Sequence, residues 1–193
     1  MTRASILIAA GALLLSGCSI GGKAPELLLT LTPEAPLTPS EGGAASAETA
    51  IAIGRPVVPQ ALDTTRIPVM SGPTSLAYLK DAFWVDTPDN LFRNLLNETV
   101  AGRTGRAVID PVQVSFTVGN LLNGQLHHFG LDARTMEAVV TFDAAFSRTT
   151  GGVVTRRFEA RVPVSAAERD VVAPALNQAA NQVATQVADW VGR

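Results

Sequence analysis

Residues that usually do chemistry are scarce in this chain. Among 193 residues there is one cysteine, and there are only two histidines, which are neighbours. A single cysteine excludes an internal disulfide framework, and this set cannot supply a Cys/His zinc site with the usual spacing. Charge is also sparse and balanced, with 15 Lys and Arg against 17 Asp and Glu. That balance lacks the basic excess of a nucleic-acid binder. No phosphate-binding loop or His-Glu-x-x-His is present. Nor is any apolar run near the roughly 20 residues a permanent membrane-spanning helix needs. The chain does have apolar content, at 47%. That suffices for a folded core and excludes wholesale disorder.

The strongest motif lies at the start. Met-Thr-Arg is followed by an apolar stretch from Ala4 to Leu15 and then by Ser16-Gly17-Cys18. A positive start, a short apolar core and small residues at a cut site make residues 1–17 a signal peptide. Leu15-Ser16-Gly17-Cys18 resembles the bacterial lipobox, whose cysteine receives a diacylglyceryl group and becomes the first residue of the mature chain. Cys18 is therefore the expected lipidation site. The mature chain would then carry no free thiol, which suits an oxidising periplasm. Two or more acyl chains would hold it stably on a membrane. Ser19 stands where an aspartate would favour the inner membrane in lipoproteins of enteric-type bacteria. The expected location is the outer membrane, facing the periplasm.

Residues 18–26 read as a lipidated tether, and the eight after Cys18 span at most about 27 Å. Leu27–Leu31 reads as a short strand, because four exposed leucines would be an aggregation hazard. A Pro-, Gly-, Ala- and Ser-rich stretch at about 33–48 reads as a flexible loop. One domain is expected over 27–193. Within it, 50–58 is β-rich, and 66–70 with 75–85 flank a Ser-Gly-Pro turn as a hairpin. Thr87-Pro88-Asp89 begins a helix expected to reach about Ala101, with Phe92, Leu95, Leu96 and Thr99 on its apolar face. Val112, Val114, Phe116 and Val118 alternate with polar residues as a strand. Gly119–Gly130 reads as a loop. Met136–Phe146 and Val153–Val162 form a second hairpin, and a helix closes the chain from Arg169 to Val191. Its stripe is Val172, Leu176, Ala179, Val183, Val187 and Trp190, opposite Asn177, Gln178, Asn181, Gln182 and Gln186. This order predicts an α+β fold, in which a mixed, largely antiparallel sheet carries two amphipathic helices on one face.

The chain resembles the ABC-type transport auxiliary lipoproteins, of the paraquat-inducible lipoprotein kind associated with MCE-domain proteins. The resemblance rests on four stretches in order. These are Leu27–Pro33 after the lipobox; Ala61-Leu62-Asp63-Thr64-Thr65-Arg66-Ile67 leading into the hairpin; Tyr78–Trp84 followed by Leu91, Leu95 and Leu96; and the Asn-Gln-Ala pattern of Ala173–Trp190. It implies a non-enzymatic accessory role in lipid traffic between inner and outer membranes, with an MCE-domain protein as partner. It implies no cofactor beyond the covalent lipid on Cys18. Self-association into a homo-oligomer is left open. The alternatives are a scaffold lipoprotein for another envelope or secretion complex, and a lipoprotein hydrolase.

The remaining polar clusters have simpler readings. His127-His128 falls in the expected loop and reads as solvated. Asp143 and Ser147 would need to meet a histidine in space to matter chemically. Asp86 and Asp89 suit a helix N-terminus. Asn97-Glu98-Thr99 matches a glycosylation acceptor by chance. Arg156, Arg157 and Arg161 read as a solvated sheet face. If Arg156 shares the inward face with Val154 and Phe158, it needs a carboxylate partner. Tyr78, Phe83 and Trp84 are the candidate partner contacts, with core packing as the competing reading.

Overall fold

The computed structural model describes residues 27–34, 49–112, 119–149 and 151–193. Cys18, the signal peptide and the tether lie outside them, as do most of the expected loop at 33–48 and residues 113–118 of the expected strand. Val112 itself sits in a turn and is exposed.

Among the described residues, seven strands and two helices follow in chain order. They are β1 (Ile51–Ile53), β2 (Arg66–Met70), β3 (Leu76–Phe83), α1 (Pro88–Thr104), β4 (Val108–Ile109), β5 (Asn120–Asp132), β6 (Glu137–Ser147), β7 (Val153–Pro163) and α2 (Arg169–Val191). A short 3-10 turn at Gln60–Leu62 links β1 to β2. The result is the expected α+β architecture with a mixed sheet.

β5 organises the sheet. One of its edges pairs antiparallel with β6, and β6 pairs antiparallel with β7. Its other edge is shared by two shorter strands, both parallel to it. β1 meets residues 120–122 and β2 meets residues 131–132. Thirteen residues extend roughly 44 Å, so both short strands fit along one edge. β4 then flanks β1, and β3 flanks β2.

The sequence reads as a loop over Gly119–Gly130, whereas the structure makes this stretch the central strand. The Asn123-Gly124 pair and the two histidines mimic loop signals. More importantly, the register shifts between Leu126 and His128. Core-facing residues therefore change parity along the strand, from Leu122 and Leu126 to Phe129 and Leu131, all essentially buried. A bulge inserts one extra residue and hides the two-residue period. Gly124 reflects close packing here: a Cβ would lie 2.4 Å from both the Asp143 carbonyl oxygen and the Phe142 ring.

Both helices cover the same face. Phe92 of α1 meets Phe142 of β6 edge-on, with ring centroids 5.3 Å apart. Trp190 of α2 meets Phe146 of β6 at 5.8 Å and Phe158 of β7 at 5.6 Å. Phe142 and Phe146 are four residues apart on one strand, so they point to the same side. α1 begins at Pro88, as its sequence suggests, but runs to Thr104 and ends on Gly105 in the left-handed region at φ 66°. Thr87 makes no side-chain cap bond. Its N–H instead donates to the Asp86 carboxylate at 2.7 Å. The buried face of α1 continues to Val100 rather than Thr99. α2 has the predicted bounds, and its stripe from Val172 to Val187 is buried. A second buried row, Ala180, Ala184 and Ala188, lies beside that stripe. Arg103 of α1 pairs with Asp189 of α2 at 2.7 Å, so the two helices are joined at the surface as well.

Candidate partner surfaces

Two features carry polar groups in a built arrangement: the N-terminal strap and the sheet face that the helices leave open.

The strap is residues 27–34. The Leu29 N–H donates to the Phe83 carbonyl, and the Val85 N–H donates back to the Leu29 carbonyl, both at 2.8 Å. Leu29 thereby forms a parallel bridge to Trp84 at the edge of β3. Leu29 and Leu31 pack against the core, whereas Leu27 and Leu28 are about half exposed. Beyond them, α2 grips the chain. The Asn177 side-chain oxygen accepts the Thr32 N–H at 2.8 Å. The Asn181 oxygen accepts the Glu34 N–H at 2.9 Å, and its amide donates to the Thr32 carbonyl at 2.8 Å. The amide side of α2 is therefore a clamp at these two positions, and Asn181 is buried rather than solvated.

The open face carries an ionic lattice. Arg157 of β7 donates two bonds of 2.6 Å to the Asp143 carboxylate on β6. His127, displaced by the bulge in β5, meets the same carboxylate at 2.8 Å through Nε2. One residue pair along, Arg161 donates to Glu159 at 2.7 Å and to Glu137 at 3.2 Å, while the Thr141 hydroxyl donates to Glu159 at 2.9 Å. The histidine reading is corrected accordingly, since His127 sits on a strand and has a carboxylate partner.

These pairings set the ionisation of the carboxylates. Hydrogen bonding from Arg157 holds Asp143 below the usual aspartate range, outweighing its partial desolvation. Arg161 does the same for Glu159. Both acids thus stay charged near neutral pH and are poor proton acceptors. Ser147 lies four residues along β6 from Asp143, roughly 14 Å. Its hydroxyl donates to the Leu121 carbonyl. Ser147 therefore forms no relay with His127 and Asp143. Among the described residues no group of three or more His, Cys, Asp and Glu side chains is placed to hold a metal ion.

Beside the lattice lies an apolar hollow of about 180 Å³. The 3-10 turn forms one wall, Pro68, Met70, Gly130 and Val139 contribute to its lining, and Arg134 and Arg161 are also present. Both arginines are already paired, Arg134 with Asp132 and Arg161 with its two glutamates.

Tyr78, Phe83 and Trp84 do not form one surface. Trp84 is 1% exposed and packs edge-on against Phe129 at 5.6 Å, which makes it a core residue. Phe83 is half-buried where the strap docks. Tyr78 is also half-buried, with Arg66 over its ring at 4.5 Å and its hydroxyl donating to the Ala61 carbonyl at 3.3 Å. Arg156 does share the inward face with Phe158, but it needs no carboxylate. It is exposed and stacks over the Phe158 ring at 5.1 Å.

The family model for the ABC-type transport auxiliary lipoprotein component matches residues 29–188. The chain belongs to this family. Its matched region runs from the strap residue Leu29 to the last turn of α2. A crystal structure of an uncharacterized protein superposes with a TM-score of 0.66 at 15% identity, covering 86% of this chain and 99% of the other. A Xanthomonas campestris protein of the DUF330 family superposes with a TM-score of 0.63 at 20% identity, covering 86% and 91%. At these identities the likeness speaks to the fold. No functionally curated protein matches the sequence. Among the described residues, no helix of this auxiliary lipoprotein is long and apolar enough to cross a membrane.

Proposed function

We propose that this auxiliary lipoprotein is anchored by lipid on Cys18 and faces the periplasm from the outer membrane. There it serves an ABC/MCE-type transport system that moves lipid between the two membranes. The observation that carries this reading is the family match across nearly all the described fold. Its partner is an MCE-domain protein that reaches the same membrane. A tether near Cys18 raises the effective concentration of the domain for such a partner, so modest intrinsic affinity suffices. The protein acts by binding, not catalysis. On the open face Asp143 and Glu159 are held in ion pairs, and the Ser147 hydroxyl is engaged with the Leu121 carbonyl.

Deletion of the gene tests the proposal. The expected phenotype is sensitivity to detergents and membrane-active agents, matching loss of the transporter itself. A phenotype unlike the transporter deletion favours a scaffold role in another envelope complex.

A further inference from the structure

Among the described residues, β7 pairs on one side only, with β6. It is eleven residues long, and its register against β6 is continuous with no bulge. Its sole proline, Pro163, is the last residue. Val153 and Val154 are 65% and 54% exposed. A long, straight edge with exposed apolar residues offers a row of backbone donors and acceptors to another strand.

We infer that this edge pairs with β7 of a second copy, antiparallel about a two-fold axis through Phe158. Charge and register select this pairing. In an antiparallel pair, residues of equal parity must lie opposite if both backbones are to share one ladder. That restricts the two-fold centre to a residue. A centre at Arg156, Arg157 or Glu159 sets that charged residue against its own copy. Such like pairs are unfavourable. A centre at Phe158 uses all eleven residues. It places Arg157 opposite Glu159 twice, Thr155 opposite Arg161, Arg156 opposite Ala160, and Val154 opposite Val162. No like charges face each other directly. On the helix side, Phe158 meets its own copy next to the half-buried Trp190, already in contact with it. Arg157 is 62% exposed along its side chain, so it reaches a second carboxylate while keeping Asp143.

Cross-linking reads the register. Cys18 is the chain's only cysteine. Full-length chains in a Cys18→Ser background, purified in detergent, therefore contain only the introduced thiol. Opposed residues in an antiparallel pair lie within disulfide reach. Under mild oxidation, a mixture of Arg157→Cys and Glu159→Cys chains is expected to give a covalent dimer, whereas neither gives one alone. Thr155→Cys mixed with Arg161→Cys is expected to do the same. Charge swapping gives a second reading on uncross-linked chains. Arg157→Glu and Glu159→Arg are each expected to weaken self-association about tenfold. Mixing the two restores it as a heterodimer. Monomeric behaviour of the unmodified chain at high concentration, or cross-links in a different register, overturns the inference. The test involves no transporter component, so its failure is distinct from failure of the proposed function.

Discussion

The Asn181 side chain on α2 donates to the Thr32 carbonyl at 2.8 Å, across 149 residues of sequence. The same amide accepts the Glu34 N–H and also donates to the Asn177 carbonyl at 2.9 Å. One buried side chain thus fixes the strap that leads back toward the tether.

Asn181→Ala is expected to cost about 1–3 kcal/mol, because it strands the strap's backbone groups and removes three bonds. Chemical denaturation measures the loss, and limited proteolysis should then cut within residues 27–34. An unchanged midpoint with an intact strap would show that the clamp contributes nothing.

Val183 is completely buried in the face of α2 that packs on the fold. Val183→Asp places an unpartnered charge there and should cost about 3–5 kcal/mol. A melting temperature equal to that of the unmodified protein would contradict the packing of this helix.

Asp89, nearly buried in the first turn of α1, is paired with Arg55. Burial pushes its pKa up, but the hydrogen bond and charge of Arg55 act the other way, and the net direction is down. A carboxylate with a lowered folded-state pKa stabilises the fold at pH above its unfolded value, about 3.9. That contribution is lost as pH falls through the folded-state value. Asp89→Asn should therefore destabilise at pH 7 by about 1–2 kcal/mol, since Arg55 remains half-exposed and screened. It should also flatten the loss of stability as pH falls below the unfolded value, about 3.9. Equal acid profiles for the two proteins would contradict the assignment.

Gly124→Ala should destabilise by about 1–3 kcal/mol, because its Cβ collides with the backbone of β6. Thermal unfolding measures this, and a neutral result would mean that β5 and β6 are not packed as described.

Legibility in the sequence followed the length of uninterrupted patterns. α2 shows its start, end and stripe because six apolar positions repeat over 23 residues. The hairpin of β6 and β7 is readable because alternation runs to a Thr-Thr-Gly-Gly turn without a bulge. β5 is unreadable for the opposite reason: its bulge at His127 breaks the alternation, and Asn123-Gly124 imitates a turn. The short β4 owes its state to pairing with β1, a contact without local signal. Site features divided the same way. The lipobox is a local motif and stands out. The clamp joins residues nearly 150 apart, and the Asp143 lattice joins three strands, so neither has a spacing to read. Trp84 shows the limit of aromatic content as a guide, because it packs in the core against Phe129 while Tyr78 and Phe83 are half-buried.

Cys18→Ser should leave an uncleaved precursor that takes up no labelled palmitate. Normal processing and labelling of that variant would remove the anchor from the account.

The central claim is that the protein serves an MCE-type transport system by direct binding. The most direct measurement is co-purification of the full-length lipoprotein with the MCE-domain protein of the same bacterium, from detergent-solubilised envelopes without added nucleotide or metal. A complex containing both proteins is expected, weakened when Cys18→Ser removes the tether. Absence of the MCE-domain protein at high lipoprotein concentration, with the fold intact, would contradict it.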